Sequence, residues 1–216
     1  MTTTIAIIVY DGFDELDAIG PFEAFEMAAD EGAPLETSLV TLDEQETVTA
    51  AHGLRITPDG TLSVADPPDV AVVPGGGWND RRPTGAWAEA ERGVLPDTLA
   101  RLHDAGVTLA SVCTGAMLLA RAGVLDGRPA VTHADALDDL RSTDATVVDA
   151  RVVDVEGRHP SGNRTQSGDG GDVVTAGGIT SGLDLALHLI ERLVDEETAE
   201  TVATGLEYDR QRARSS

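Results

Sequence analysis

The stretch TLASVCTGAMLLA, residues 108–120, joins an apolar run to a helix-forming run and holds the single cysteine of the chain between them. Thr108 to Val112 has the pattern of a short buried strand, and Ala116 to Ala122 has the composition of a helix. Cys113-Thr114-Gly115 must then form the turn. A side chain at such a junction lies beside unpaired N–H groups of the helix, which favour negative charge. We therefore interpret Cys113 as a candidate nucleophile with a lowered thiol pKa, against the alternative of a buried structural thiol.

Strand-like and helix-like segments alternate along almost the whole chain. The expected strands lie at residues 5–10, 35–42, 69–77 (running into a glycine turn), 108–112, 129–133, 145–156 and 172–178. The expected helices lie at residues 20–30, 85–106, 116–122, 134–142 and 180–206. This alternation predicts a single α/β domain over residues 1–216, with a mostly parallel sheet and helices on both faces. The Gly- and Ser-rich segment 157–171 interrupts it and is predicted to be a long, mobile hairpin tip.

The composition is strongly acidic. The formal net charge is -23, and all fifteen cationic residues are arginine. Such a charge argues against binding to nucleic acid or to anionic membranes. It favours a salt-rich cell interior, because molar salt reduces the Debye length to about 3 Å and screens the self-repulsion. The N-terminus has no basic segment before its short apolar run, and no run approaches the ~20 residues that span a bilayer, so we expect a cytoplasmic protein.

Four candidate positions fall at the carboxyl ends of the expected strands, where open parallel sheets gather their ligands. They are Asp17 after the first strand, the turn Gly75-Gly76-Gly77, the turn residue Cys113, and His133. A glycine turn lets backbone N–H groups approach an oxyanion closely. Each position also has a structural alternative: a surface acid, a tight turn or a packed histidine.

No cofactor is predicted. The sequence contains no nucleotide-binding or metalloprotease motif, and its other histidines show no metal-ligand spacing. These are His52, His103, His159 and His188. We therefore expect neither a bound cofactor nor a metal site.

Five motifs occur in the order typical of the ThiJ/PfpI family, and the chain most resembles the isonitrile hydratase subgroup. They are YDGFDELDAIGPFEAF, VVPGGG, SVCTGAMLLARAGVLDGRPAVTH, TAGGITSGLDLALHLIERL and LEYD. The resemblance implies a flavodoxin-like three-layer sandwich with a cysteine nucleophile on a sharp elbow. It also implies Asp17 as the acid, Cys113 as the nucleophile and Thr114 as the elbow threonine.

The family resemblance extends to the oxyanion site and to assembly. It implies oxyanion donors at the backbone N–H groups of Gly76 and Thr114, with Gly75 and Gly77 shaping the turn, and it implies a homodimer. Ala134 departs from the subgroup, where an aromatic residue tends to follow the TH pair. The identity of the small electrophilic substrate is therefore open.

Three functions follow from these residues. The first is hydration of an isonitrile to an N-substituted formamide by Cys113 and Asp17. The second is a glyoxalase-like, deglycase or peptidase activity that uses Cys113 with His133. The third is a redox sensor or stress chaperone without turnover, in which Cys113 is oxidised reversibly.

Overall fold

The computed structural model describes residues 1–156, 170–211 and 214–215. Its strands are β1 Thr3–Ile8, β2 Leu35–Thr41, β3 Val48–Thr49, β4 Arg55–Ile56, β5 Gly60–Thr61, β6 Val70–Val73, β7 Thr108–Ser111, β8 Pro129–Ala130, β9 Thr146–Val147, β10 Val152–Val155, β11 Val173–Ala176 and β12 Arg214–Ser215. Eight of them form a central sheet, in the order β12-β10-β11-β7-β6-β1-β2-β5. All neighbours in this sheet are parallel except β10 and β11.

Seven α-helices are described, and six of them form two groups that cover the sheet. The seven are α1 Glu15–Asp30, α2 Ala86–Arg92, α3 Val94–Asp104, α4 Gly115–Arg121, α5 Leu137–Arg141, α6 Ser181–Leu193 and α7 Glu196–Gly205. Helices α1, α6 and α7 pack on one another, as do α2, α3 and α4. Every residue of β6 and β11 is buried, so both faces of the central strands are covered. The predicted α/β class is confirmed.

Two predicted helices are each divided in two. Residues 85–106 break at Gly93, whose backbone is left-handed with a φ of 77°, a conformation that ends a helix. Residues 180–206 break at Val194, after which the Asp195 side chain accepts the N–H of Thr198 at 2.8 Å and begins α7. The apolar pattern continues through both breaks, which is why the sequence predicted single helices.

The first helix begins earlier than predicted. Asp14 caps it by accepting the Leu16 N–H at 3.3 Å, so α1 starts at Glu15 and not at residue 20. Pro21 consequently lies inside the helix rather than in its first turn. Asp17 lies in that first turn instead of in a loop, and its side chain points into the protein, where it is fully buried.

The segments around His133 and the loop also differ from the prediction. Only Pro129–Ala130 forms a strand there, and it pairs with β9 in a separate small sheet. The expected strand 145–156 is divided into β9 and β10. Strands β10 and β11 are antiparallel, as the arms of a hairpin require. The predicted mobile tip lies outside the described residues except for Gly170 and Gly171. In the described part of the chain, no helix has both the length and the apolar character to cross a membrane.

Candidate active site

Cys113 lies on the sharp turn between β7 and α4, as the sequence predicted. Its φ of 58° is in the left-handed region, which non-glycine residues rarely adopt. Its backbone N–H donates to the Gly177 carbonyl at 2.8 Å and fixes the turn against the loop after β11. Gly115 allows close approach of the helix to β6, because a Cβ there would lie 2.1 Å from the Val73 carbonyl oxygen.

Asp17 is a buried carboxyl group beside this turn. Its Oδ2 accepts the backbone N–H of Gly75 at 2.9 Å, while Oδ1 has no hydrogen bond of normal geometry with the described residues. Burial raises the Asp17 pKa to about 7, and the charge of Asp14 adds to the rise. The hydrogen bonds from Gly75 and from the Cys113 thiol oppose it. Near neutral pH, this group can therefore both take and give a proton.

The prediction of a lowered Cys113 pKa is wrong. The side chain is buried, and burial raises the thiol pKa to about 12, with the negative charge of Asp17 as the next cause. The backbone N–H groups of Ile179 and Thr114 lower the pKa, but their effect is smaller than that of burial. Each of the two groups shifts the pKa of the other, because the Asp17 charge raises the pKa of the thiol and the thiol hydrogen bond lowers the pKa of the carboxyl group. At neutral pH the Cys113 thiol therefore keeps its proton.

The glycine turn lies directly against Thr114. A Cβ on Gly75 would lie 2.5 Å from both the backbone nitrogen and Oγ1 of Thr114, so this approach requires glycine. Gly76 donates its N–H to Thr114 Oγ1 at 2.9 Å. This N–H is therefore not a free oxyanion donor as expected, and an oxyanion would have to displace the hydroxyl. Gly77 has a φ of 66°, and its N–H has no partner in the described part of the chain.

An open cleft of about 290 Å³ lies beside the glycine turn and Cys113. Cys113, Thr114, Gly76 and Gly77 line it together with Trp78, Ile179 and His133, so the structure brings the predicted residues other than buried Asp17 and Gly75 to one surface. His133 accepts the backbone N–H of Asp135 on Nδ1 at 3.1 Å, which leaves Nε2 to carry the proton of the neutral ring. His133 thus reaches the cleft even though its predicted strand is not part of the central sheet.

Three potential metal ligands meet at the rim of this cleft. One ligand atom from each of Asp14, Glu15 and His52 lies within 4.8 Å of the others. Glu15 Oε2 pairs with His52 Nδ1 at 2.7 Å, and this contact raises the pKa of the histidine. The spacing of His52 in the sequence gave no sign of this group. No spacing rule could have found them, since His52 comes from the β3–β4 segment.

A buried ion pair supports the loop behind Cys113, and sequence reasoning missed it. Asp184, fully buried in the first turn of α6, binds the Arg151 guanidinium and accepts the Tyr208 hydroxyl at 2.8 Å. Arg151 also donates to Thr180 Oγ1 at 2.9 Å, next to Ile179. The only signal in the sequence was that Asp184 and Tyr208 lie in two of the five recognised motifs.

Comparison with known proteins agrees with this geometry. The sequence profile of the DJ-1/PfpI family matches residues 3–192. The chain belongs to the DJ-1/PfpI family. Within it, an isonitrile hydratase of Pseudomonas putida is 31% identical over 208 residues, which cover 96% of this chain and 79% of that protein. A deglycase of Thermococcus kodakarensis is 28% identical over 162 residues, covering 72% of this chain and 90% of the relative.

The DJ-1/PfpI fold is shared with solved structures as well. A ThiJ/PfpI family protein from Pseudomonas syringae matches with a TM-score of 0.76 and 27% identity, covering 98% of this chain and 77% of that one. The family resemblance and the flavodoxin-like fold inferred from the five motifs are thereby confirmed. The adaptation to high salt and the dimer stay predictions.

Proposed function

We propose that this chain is a cysteine-dependent enzyme that adds water to a small electrophile, and that its substrate is an isonitrile. The observation that carries the proposal is the pairing of a buried carboxyl group, Asp17, with the Cys113 thiol beneath an open cleft. The similarity to an isonitrile hydratase over nearly the whole chain supports the choice of substrate.

The first half of the reaction forms a covalent intermediate. The Cys113 sulfur bonds to the terminal carbon of R–NC while the Asp17 carboxylate accepts the thiol proton. Asp17 then delivers that proton to the same carbon, which gives the thioimidate S–CH=N–R. Because burial holds the thiol pKa at about 12, sulfur loses its proton only as it attacks, and a carboxyl group with a pKa of about 7 suits this transfer.

The second half releases the product. Water adds to the thioimidate carbon, and the nitrogen gains a proton. The C–S bond then breaks, its electron pair returns to sulfur, and the N-substituted formamide R–NH–CHO leaves. Asp17 accepts the proton of the hydroxyl that becomes the formyl oxygen and passes it to the departing thiolate, which restores the starting state. Thr114 lines the cleft and its Oγ1 accepts the Gly76 N–H, which supports a role for this residue in orienting the water.

A glyoxalase-like or deglycase activity is the second candidate. It is favoured by His133, which lines the same cleft as Cys113 and offers an Nε2 proton donor. The similarity to a deglycase supports it too. In this reaction the thiol would add to an aldehyde carbon, and His133 would move the protons.

Turnover measurements separate the two candidates. Wild-type protein and three variants would be assayed with a small alkyl isonitrile and with methylglyoxal. For the isonitrile, we expect Cys113→Ser and Asp17→Asn to lower kcat by about 100-fold or more, since both remove a group that handles the proton or the carbon. His133→Ala should retain isonitrile turnover. Turnover of methylglyoxal alone, lost in His133→Ala, would favour the second candidate instead.

A further inference from the structure

A second hollow adjoins the cleft that holds Cys113. We call the cleft above Cys113 the catalytic lobe and this neighbour, also about 290 Å³, the outer lobe. The outer lobe is lined by Asp11, Gly12, Thr49, Ala50, Ala51, Arg82 and Thr84. Ala51 and Arg82 line both lobes, so the two hollows meet at these residues. A ligand that reacts at Cys113 can therefore extend past them into the outer lobe.

Arg82 stands between the lobes on an anchored backbone. Its N–H donates to the Gly77 carbonyl at 3.2 Å, which ties it to the glycine turn of the catalytic lobe. Its guanidinium pairs with Asp80 at 3.2 Å, and about half of the side chain is exposed. An exposed ion pair of this kind is weak, so the guanidinium is available to donate hydrogen bonds to a ligand that passes it.

The outer lobe has a mixed lining, in which about half of the surface is polar. Its apolar side chains are no larger than alanine, so an alkyl tail would find no large apolar side chain to pack against. Asp11 is held in place because its Oδ1 accepts the Thr49 N–H at 2.9 Å. The Thr84 hydroxyl lies close to Gly12, another lining residue, since a Cβ on Gly12 would lie 2.6 Å from Thr84 Oγ1.

The donors and acceptors of the outer lobe balance each other. Asp11 offers acceptors, Arg82 offers donors, and the hydroxyls of Thr49 and Thr84 can do both. One carboxylate and one guanidinium leave the lining without a net charge. A neutral group that both donates and accepts hydrogen bonds fits this lining better than an ammonium group, a carboxylate or an alkyl chain.

We infer that the outer lobe binds a neutral, hydroxyl-bearing tail of the substrate, so that the substrate is an electrophile attached to a polyol-like chain. The inference rests on the proposed function for the position of the reacting carbon. It assigns Asp11, Arg82 and Thr84 as specificity-determining residues, remote from the atoms that react. The same tail would be recognised whether the electrophilic group were an isonitrile or an aldehyde.

Binding of unreactive products tests the inference without turnover. The two probes are the N-formyl derivative of an aminohexitol and N-hexylformamide, which have the same number of tail carbons and no charge. With wild-type protein in a calorimeter, the hydroxylated probe should bind at least about fivefold more tightly, the gain expected from one or two net hydrogen bonds. Equal affinities, tighter binding of the alkyl probe, or no measurable binding of either would overturn the inference.

Two variants and a control test whether residues of the outer lobe cause the tighter binding of the hydroxylated probe. Thr84→Val and Asp11→Ala should each bring the two affinities together, whereas the control Thr98→Val, on α3 and outside both lobes, should leave the difference intact. The preference in wild-type protein should also persist at high salt, because both probes are uncharged and salt screens only the attraction between charges. A preference that survives both variants, or that salt abolishes, would contradict the assignment.

The failure of this inference and that of the proposed function are distinguishable. If the protein turns over no isonitrile but binds the hydroxylated probe through Asp11 and Thr84, the proposed reaction fails and the outer lobe stands. If it turns over isonitriles but binds both probes equally, the reaction stands and the assignment of the outer lobe fails.

Discussion

Replacing the buried carboxyl group of Asp17 by an amide should make the protein more stable at neutral pH. Asp17→Asn removes only the ability to ionise, and the amide oxygen can still accept the Gly75 N–H that Oδ2 now accepts at 2.9 Å. In the unfolded chain the carboxyl group titrates near 3.8, whereas burial raises its pKa to about 7 in the folded state. The native protein therefore holds this proton more tightly than the unfolded chain does.

The sign of the effect follows from this difference. Because the folded pKa is the higher one, the stabilisation is fully present below pH 3.8 and is lost as the pH rises towards about 7. At about 1.36 kcal/mol for each pKa unit, the wild type should lose about 4 kcal/mol between pH 4 and pH 8. Asp17→Asn should not lose this contribution, because an amide does not titrate.

The assay is urea unfolding at a series of pH values, at constant salt, for the wild type and Asp17→Asn. The difference between the two unfolding free energies cancels the titration of the other acidic groups. We expect near-equal stability at pH 4 and a variant about 4 kcal/mol more stable at pH 8. Asp30→Asn, which removes an exposed carboxylate at the end of α1, is the matched control and should show no such trend. Parallel curves for the wild type and Asp17→Asn would refute the raised pKa.

Three further predictions follow from the same region. Gly75→Ala should lower the unfolding free energy by about 1–3 kcal/mol through steric conflict with the elbow, while Gly60→Ala, whose Cβ would have no neighbour within 4 Å, serves as its control in thermal unfolding. Asp184→Ala should cost about 3–5 kcal/mol in chemical denaturation, because it leaves a guanidinium without its buried partner. Asp17→Asn should lower the pH midpoint of Cys113 alkylation by iodoacetamide, because the negative charge that raises the thiol pKa is gone; an upward shift would mean that the carboxyl group stabilises the thiolate.

Local pattern was sufficient to predict the elbow and the main sheet. The apolar run before Cys113 and the helix formers after it leave few other ways to fold this stretch, and the structure has the strand, turn and helix where expected. The carboxyl-end rule for parallel sheets then correctly brought the glycine turn to the cleft beside Cys113, whereas His133 reaches this cleft from a segment that follows a strand outside the central sheet. These features depend on short-range sequence patterns and on one general rule of topology.

Features that depend on burial and on distant partners were not predictable in this way. The predicted shift of the Cys113 thiol pKa had the wrong sign. The sequence shows the helix N-terminus, which lowers the pKa, but not the desolvation of Cys113, which raises it and is the larger effect. The hydroxyl of Thr114 accepts the hydrogen bond from the Gly76 N–H only because two segments far apart in the chain meet. The pairing of His52 with Glu15 and of Asp184 with Arg151 arises in the same way.

The central claim is that Cys113 attacks the substrate carbon and forms a thioimidate. Rapid mixing with an isonitrile, acid quenching and intact-protein mass spectrometry would test it most directly. The wild type should show a transient increase equal to the whole mass of the isonitrile, located on Cys113 by peptide mapping and decaying as formamide appears. Cys113→Ser should show neither the adduct nor the product. Formamide production by Cys113→Ser at the wild-type rate, or wild-type turnover without an adduct at any quench time, would contradict the account.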